Sequence, residues 1–409
     1  MIRGPKIGRM RTRMAALLAA VSLMQGVPAH AYAFNQVVAD ARDIRNNPYT
    51  ACPAAQRFNT ATPGIADRRW STSLGAAPQT IFTTQDSNPA ARLNEIEQSI
   101  QTAFSIWTNV SGATLRPASL GLLTRTPTQM ACNPFDGINS ICLNQPDSGF
   151  STGVLAFTTT VASDILTEQP FPANPPATFT GEILDADVYF NPTDPGSTFA
   201  TPAALPSRPT SFDFESVLAH ELGHFFGFSH SGVWRAMMFP FAPSPGQFLG
   251  DRPGPGALDA PLAEDDRTGL RVLYPDPADT VHAGSIRGRI EPANLLSLGG
   301  QAGVTGIFGA QVAAVDEITG EVIGATLGGW SCNVPGPAQF DGSYWIERLP
   351  VGRSYRVYVE PLDGPVTSAS VAGATSALCR NATTDPGWPA QAACTVPIVH
   401  TNFVTRSRQ

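Results

Sequence analysis

Three of the chain's six histidines fall within eleven residues, His220-Glu221-Leu222-Gly223-His224-Phe225-Phe226-Gly227-Phe228-Ser229-His230. On an α-helix, residues four apart lie about 40° apart around the axis, so His220 and His224 share one face. Gly227 tolerates the positive φ that ends a helix and turns the chain, which lets His230 return toward the same face from the loop. Three neutral imidazoles around one point suit a metal ion with a fourth position left for water, the arrangement of a catalytic rather than a closed structural site. Glu221 flanks the first histidine, where its carboxylate reaches a water on the ion without displacing it, as a general base must. With six His, twelve Glu and 37 Gly in the chain, shuffling produces the five fixed positions of this pattern roughly once in 300,000 sequences. Chance therefore does not compete, and the fold must present a helix and the loop after it to one ion.

The N-terminus adds a second constraint. Arg3, Lys6, Arg9, Arg11 and Arg13 precede an apolar stretch from Met14 to Met24, and Pro28-Ala29-His30-Ala31-Tyr32-Ala33 follows. A basic start, a short apolar core and small residues at alternate positions predict a signal peptide over residues 1–33, cleaved after Ala31 or Ala33. A bilayer span would need about 20 apolar residues. The expectation is a secreted or extracellular protein, with periplasm or cell surface as variants, and no membrane span. Losing the five bases moves the formal charge from −7 to about −12. No other segment is densely basic, which argues against a nucleic-acid partner.

Export permits disulfides. Cys52, Cys132, Cys142, Cys332, Cys379 and Cys394 form no CxxC pair. Cys132 and Cys142 flank the turn-rich stretch Asn133-Pro134-Phe135-Asp136-Gly137, which predicts a short-loop bridge; Cys379 with Cys394 is a weaker pairing. Six cysteines allow fifteen connectivities, and spacing alone does not choose among them.

Periodicity divides the rest. Residues 34–66 are polar and turn-rich, a short leader or irregular N-terminal arm. Leu93, Ile96, Ile100, Ala103, Phe104, Trp107 and Val110 recur at helical spacing. Residues 154–157 and 188–190 read as strands, and the proline-rich stretch 169–176 between them as a surface loop. A second helix over 216–226 can be capped by Ser211 or Asp213. A third, over 262–273, stops before Pro275 and Pro277. A linker at 277–284 then leads to a β pattern, with strands near 286–290, 311–315, 321–326, 344–347 and 355–360. An all-β sandwich domain over 285–409 is the economical reading.

Eight residues after His230 comes Met238, inside Arg235-Ala236-Met237-Met238-Phe239-Pro240. Together with the histidine motif, this stretch closely resembles the matrixins, the matrix-metalloproteinase family of metzincins, here of a bacterial-like kind. Three further stretches are similar: residues 103–110, Asp185-Ala186-Asp187-Val188-Tyr189-Phe190-Asn191, and the closing helix with Asp265-Asp266-Arg267-Thr268-Gly269-Leu270. The resemblance covers about residues 67–276. It implies an α+β metzincin catalytic domain, a mixed twisted sheet with helices and one catalytic zinc in the cleft, held by His220, His224 and His230. It implies a secreted endopeptidase that hydrolyses peptide bonds of extracellular proteins, with Glu221 as general base. Met238 would form the floor under the metal, Pro240 and Phe241 a wall of the pocket beyond the scissile bond, and Leu155 and Ala156 an edge that pairs with extended protein or peptide substrate.

The departures are equally informative. Vertebrate matrixins carry a second, histidine-bound zinc, but outside the motif this chain has only His30, His282 and His400. None lies where that site would be. Structural calcium stays open through Asp, Asn and carbonyl groups around Asp136 to Asn144, though no spacing specifies it. The family's latency cysteine sits in Pro-Arg-Cys-Gly; Thr50-Ala51-Cys52-Pro53 lacks that context, so a disulfide is expected for Cys52 rather than closure of the metal site. The C-terminal half resembles carboxypeptidase regulatory-like modules through residues 309–316, 319–322, 341–346 and 349–352. Such a module could take an extracellular-matrix or cell-surface ligand, although core packing is the expected use of Trp330, Trp345 and Trp388. The competing class is a non-catalytic surface-binding or adhesin protein with a vestigial metal site. Zinc hydrolysis of a non-peptide bond is weaker, because the methionine turn points to peptidases.

Overall fold

The structure, a computed structural model, describes residues 36–39, 50–52, 64–67, 70, 81–83, 89–115, 137, 139–143, 150, 153–162, 182–191, 199–228, 230–231, 233, 236–247, 261–293, 306, 311–327 and 342–360. The expected signal segment, the loop at 169–176, Cys132, Cys332, Cys379, Cys394, Trp330 and Trp388 lie outside them. Among the described residues no helix is long and apolar enough to cross a membrane.

Among the described residues the first elements are three short strands, β1 (Gln36–Ala39), β2 (Thr50–Cys52) and β3 (Gly64–Asp67). They form an antiparallel sheet in the order β1-β3-β2. This segment was expected to be irregular; runs of three or four residues are too short to show a period, yet Val37, Val38 and Ile65 are β-branched and suit pairing.

The next sheet is mixed. It contains β4 (Ile81–Thr83), β5 (Ser140–Cys142), β6 (Ala156–Ala162) and β7 (Ile183–Phe190) in the order β4-β5-β7-β6. The pairs β4/β5 and β5/β7 are parallel, whereas β6 runs antiparallel to β7 and forms an edge. All of β7 is buried, while all of β6 is half-buried. Both strands exceed their expected lengths. Asp185 and Asp187 interrupt the apolar run of β7, and Thr158, Thr159 and Thr160 continue β6 with β-branched rather than apolar side chains.

Helix α1 (Pro89–Thr108) starts earlier and stops sooner than its apolar stripe predicts. Pro89 is tolerated there because a first-turn residue needs no amide partner. At the other end, Val110 N donates to Trp107 O in a tighter turn, yet the Val110 side chain stays buried. Helices α2 (Phe214–Phe225) and α3 (Glu264–Leu273) follow, with the two-residue strands β8 (Phe199–Ala200) and β9 (Phe212–Asp213) pairing just before α2. The main core joins Ile100, Phe104 and Trp107 of α1, Leu218, Leu222 and Phe225 of α2, Leu270 and Leu273 of α3, and Ile141, Val188 and Phe190 of the sheet. Each such side chain contributes about 1.5–3 kcal/mol by leaving water. Buried polar atoms are used as ties: Trp107 Nε1 donates to Ala219 O at 2.8 Å, and Tyr274 Oη to Phe226 O at 2.7 Å.

Beyond α3, Asp276 N donates to Gly112 O, and Val351 N to Val281 O. His282 Nδ1 lies 2.8 Å from Asp279 Oδ2. The strands β10 (Gly284–Arg289) and β13 (Ser343–Leu349) pair antiparallel, and β12 (Val322–Leu327), β11 (Gln311–Asp316) and β14 (Tyr355–Glu360) form a second antiparallel sheet in that order. Ile290, Val312, Ala314, Ile323, Ile346 and Leu349 share a core. Trp345 departs from expectation. It is 46% exposed, with the Arg287 guanidinium carbon 3.8 Å from its ring centroid. Side chains alternate along a strand, so with Ile346 turned into the core Trp345 must face outward.

Candidate metal centre

Helix α2 begins at Asp213, which has extended backbone and accepts from Glu215 N at 2.9 Å and Ser216 N at 3.4 Å. Asp213, not Ser211, is thus the cap, and its carboxylate satisfies amides that the first turn leaves open. The helix ends in a Schellman arrangement: Phe228 N donates to Gly223 O and Gly227 N to His224 O, each at 2.9 Å. Gly227 takes φ +103°, a conformation that side chains with a Cβ resist.

That reversal brings the three histidines together. One imidazole nitrogen from each of His220, His224 and His230 lies within 4.8 Å of the others, a group able to hold a metal ion. Their ring centroids are 5.0, 5.3 and 4.7 Å apart. His220 Nδ1 lies 2.7 Å from Met237 O and His224 Nδ1 lies 2.9 Å from Phe228 O. A carbonyl can only accept, so both Nδ1 atoms carry the proton and both Nε2 atoms present a lone pair. His224 Nε2 stands 3.2 Å from His230 Nε2. Nitrogens so close need a proton or a cation between them. Burial, reinforced by the His230 charge and opposed by the Met237 carbonyl, pushes His220 down to about 3. Burial, with the charges of His230 and His220, likewise holds His224 well below the ordinary imidazole range. Burial thus keeps His220 and His224 neutral, with their Nε2 lone pairs unprotonated, and two such donors beside His230 fit a cation.

Glu221 is only 4% exposed. Thr158 Oγ1 of β6 donates to its Oε2 at 2.7 Å and lies 3.0 Å from its backbone oxygen. Burial raises the carboxyl to about 7, against the lowering effect of the Thr158 hydrogen bond. A cation beside it would oppose that rise.

Residues 164–275 match the matrixin family model. In addition, a 65-residue stretch is 40% identical to metalloendoproteinase 1 of Glycine max, covering 16% of this chain and 18% of that relative's length. The two matches support a matrixin-type metalloprotease, and the span 164–275 contains His220, Glu221, His224, His230 and Met238.

Met238 is fully buried against the helix. A Cβ on Gly223 would stand 2.0 Å from Met238 Sδ and 2.9 Å from Trp107 Cζ2, so any larger residue there must displace one or both side chains. Pro240 is half-buried and Phe241 is 48% exposed, with the Phe241 ring 5.8 Å from that of Phe239. Leu155 precedes β6, and its carbonyl already accepts from Asn191 N at 2.9 Å. Ala156 opens the edge strand opposite Phe190.

Sequence reasoning overlooked the groups that hold these residues. Thr158 is one. Asp265 and Asp266 of α3 are two more, both fully buried. Asp265 accepts from Ser231 Oγ at 2.8 Å, while Asp266 accepts from Met237 N, Met238 N and Ala263 N at 2.7, 3.2 and 2.9 Å. The adjacent acids at a helix start were a visible signal, but one that helix-dipole stabilisation would explain equally well.

Proposed function

We propose that this chain is a secreted zinc endopeptidase acting on extracellular proteins. The observation that carries the reading is the pairing of two Nδ1–carbonyl contacts, which aim His220 and His224 Nε2 toward His230, with a buried Glu221 carboxylate held by Thr158. Zinc at these three nitrogens would supply Lewis acidity toward the scissile carbonyl and lower the pKa of a water in the fourth position. Glu221 then takes the proton of the attacking water and delivers it to the leaving amine nitrogen. The Thr158 hydroxyl fixes one carboxylate oxygen and leaves the other for proton transfer. Met238 supports the imidazoles from below. The outer edge of β6, which starts at Ala156 just after Leu155, receives extended substrate by backbone pairing, and Pro240 and Phe241 bound the pocket beyond the cleaved bond.

The remaining parts belong to the same proposal. Residues 1–33 act as the export signal, supported by their charge and apolar pattern. A Cys132–Cys142 bridge is supported by the disulfide-bonded state of Cys142. The strands beyond Gly284 form a β-sandwich module, supported by the core that their two sheets share. That module is a place for an extracellular-matrix or cell-surface ligand, and calcium, where bound, is structural.

The test is digestion of casein or gelatin by the full chain with and without a chelator, alongside Glu221→Ala. We expect cleavage that the chelator abolishes, and a variant that retains stoichiometric zinc but loses nearly all turnover. Zinc binding without cleavage by the wild type would favour the non-catalytic binding protein instead.

A further inference from the structure

The described residues between His230 and Met238 are held from two sides. Helix α3 stands on one, through the Asp265–Ser231 hydrogen bond and the Asp266 contacts to the Met237 and Met238 amides. Strand β12 stands on the other: Val322 packs against the buried cluster formed by Val233, Ala236 and Ala263. Ala236 is fully buried and directly precedes Met237, whose carbonyl orients the His220 ring. A C-terminal side chain therefore backs the residue next to a group that sets a ligand's tautomer and direction.

The helix is held by the same strands. At 100° per residue, positions 264 and 268 share one face of α3, while 266, 270 and 273 share the opposite one. Leu270 and Leu273 enter the main core. Thr268 is fully buried and meets β12, where a Cβ on Gly324 would stand 3.0 Å from Thr268 Cγ2. Besides Ser231 N to Met238 O, Ala236 N to Val233 O, Phe239 N to Ala236 O and Val233 N to Ser231 Oγ, the described backbone here is tied through α3 and the packing around it. Segments of this kind keep their position through packing and are the first to open locally when it is lost.

The geometry points to a positioning role for Val322: through Val233 and Ala236 it holds the Met237 carbonyl where His220 needs it, making the C-terminal strands part of the metal centre's support. The inference rests on reading the three histidines as metal ligands. Outer-shell partners of metal ligands typically change metal affinity about 10- to 100-fold when altered.

The test compares full-length Val322→Ser and Val322→Ile with the wild type. Val359→Ala, on β14 and packed in the C-terminal core rather than on the Val233, Ala236 and Ala263 cluster, serves as a control. Zinc affinity is read by chelator competition, and ligand geometry by the visible spectrum of the cobalt(II) form. Val322→Ser should bind zinc at least about tenfold more weakly and shift the cobalt bands; Val322→Ile should restore both, and Val359→Ala should change neither. Wild-type affinity and spectrum in folded Val322→Ser would overturn the role. Should that variant not fold, Val322→Ala in the metal-free full chain decides by amide hydrogen exchange. Met237 and Met238 should exchange about tenfold faster while Leu218 and Leu222 do not change, and equal protection at both pairs rejects the proposal. A wild type that binds neither zinc nor cobalt would defeat the metal reading itself, while the exchange comparison still judges the packing role.

Discussion

Thr158 has one hydroxyl proton, and the shorter of its two contacts is to the Glu221 carboxylate, at 2.7 Å against 3.0 Å for the backbone oxygen. Thr158→Val keeps the shape and removes the donor. We expect zinc content and KM close to wild type with kcat reduced about tenfold to a hundredfold, by analogy with other outer-shell losses; an unchanged kcat would remove Thr158 from the mechanism. Asp316 gives a second prediction. Burial pushes its carboxyl up, but the amides of Thr319 and Ile318 and the Arg353 guanidinium together outweigh this and hold it below the ordinary value. The unfolded chain then binds more protons near that value, so the stabilisation is present above it and lost as pH falls through the folded pKa, below about pH 4. Asp316→Asn should accordingly be less stable at neutral pH and show a flatter loss of stability on acidification, measured by urea midpoints from pH 6 to pH 3. The triad and Glu221 were legible because their spacing is local. Thr158 was not: it stands 63 residues from Glu221, and nothing in a run of three threonines marks one of them.

At the scale of elements, α2 shows how a helix and its termini create a site. Asp213 starts it, the Gly227 reversal stops it, and the hydrogen bonds of that reversal place the Phe228 carbonyl under His224 Nδ1. Gly223 has a different task, giving room to Met238 and Trp107. Gly223→Ala should cost about 1–3 kcal/mol through overpacking, despite alanine's better helix propensity. Thermal unfolding checks it, and a melting temperature at or above wild type would show that the contact relaxes freely. The turn at Gly227 could be foreseen because glycine at a helix end has a local reason. The lengths of β6 and β7 could not, because burial of Asp185 and Asp187 depends on tertiary partners such as Gly137 N, which donates to Asp185 Oδ2 at 3.0 Å.

Across the whole molecule, a metal that binds only the folded chain adds stability by mass action, about 4 kcal/mol when its free concentration is a thousand times Kd. Removing zinc with a chelator should therefore lower the melting temperature by several degrees and re-addition should restore it, as followed by calorimetry. No change on removal would mean that the histidines do not bind metal in the native state. Periodicity and motif spacing determined the kind of the longer elements, the candidate metal-ligand set and the change from mixed α and β structure to β structure near residue 284, since each depends on residues within a few turns or one strand. Tertiary structure alone decided that Thr158 meets Glu221, that Asp265 and Asp266 fasten the segment at Ser231, Met237 and Met238, and that Val322 of β12 packs on the cluster of Val233, Ala236 and Ala263. These contacts join segments tens of residues apart, and a single sequence encodes such proximity only through the energy of the folded whole.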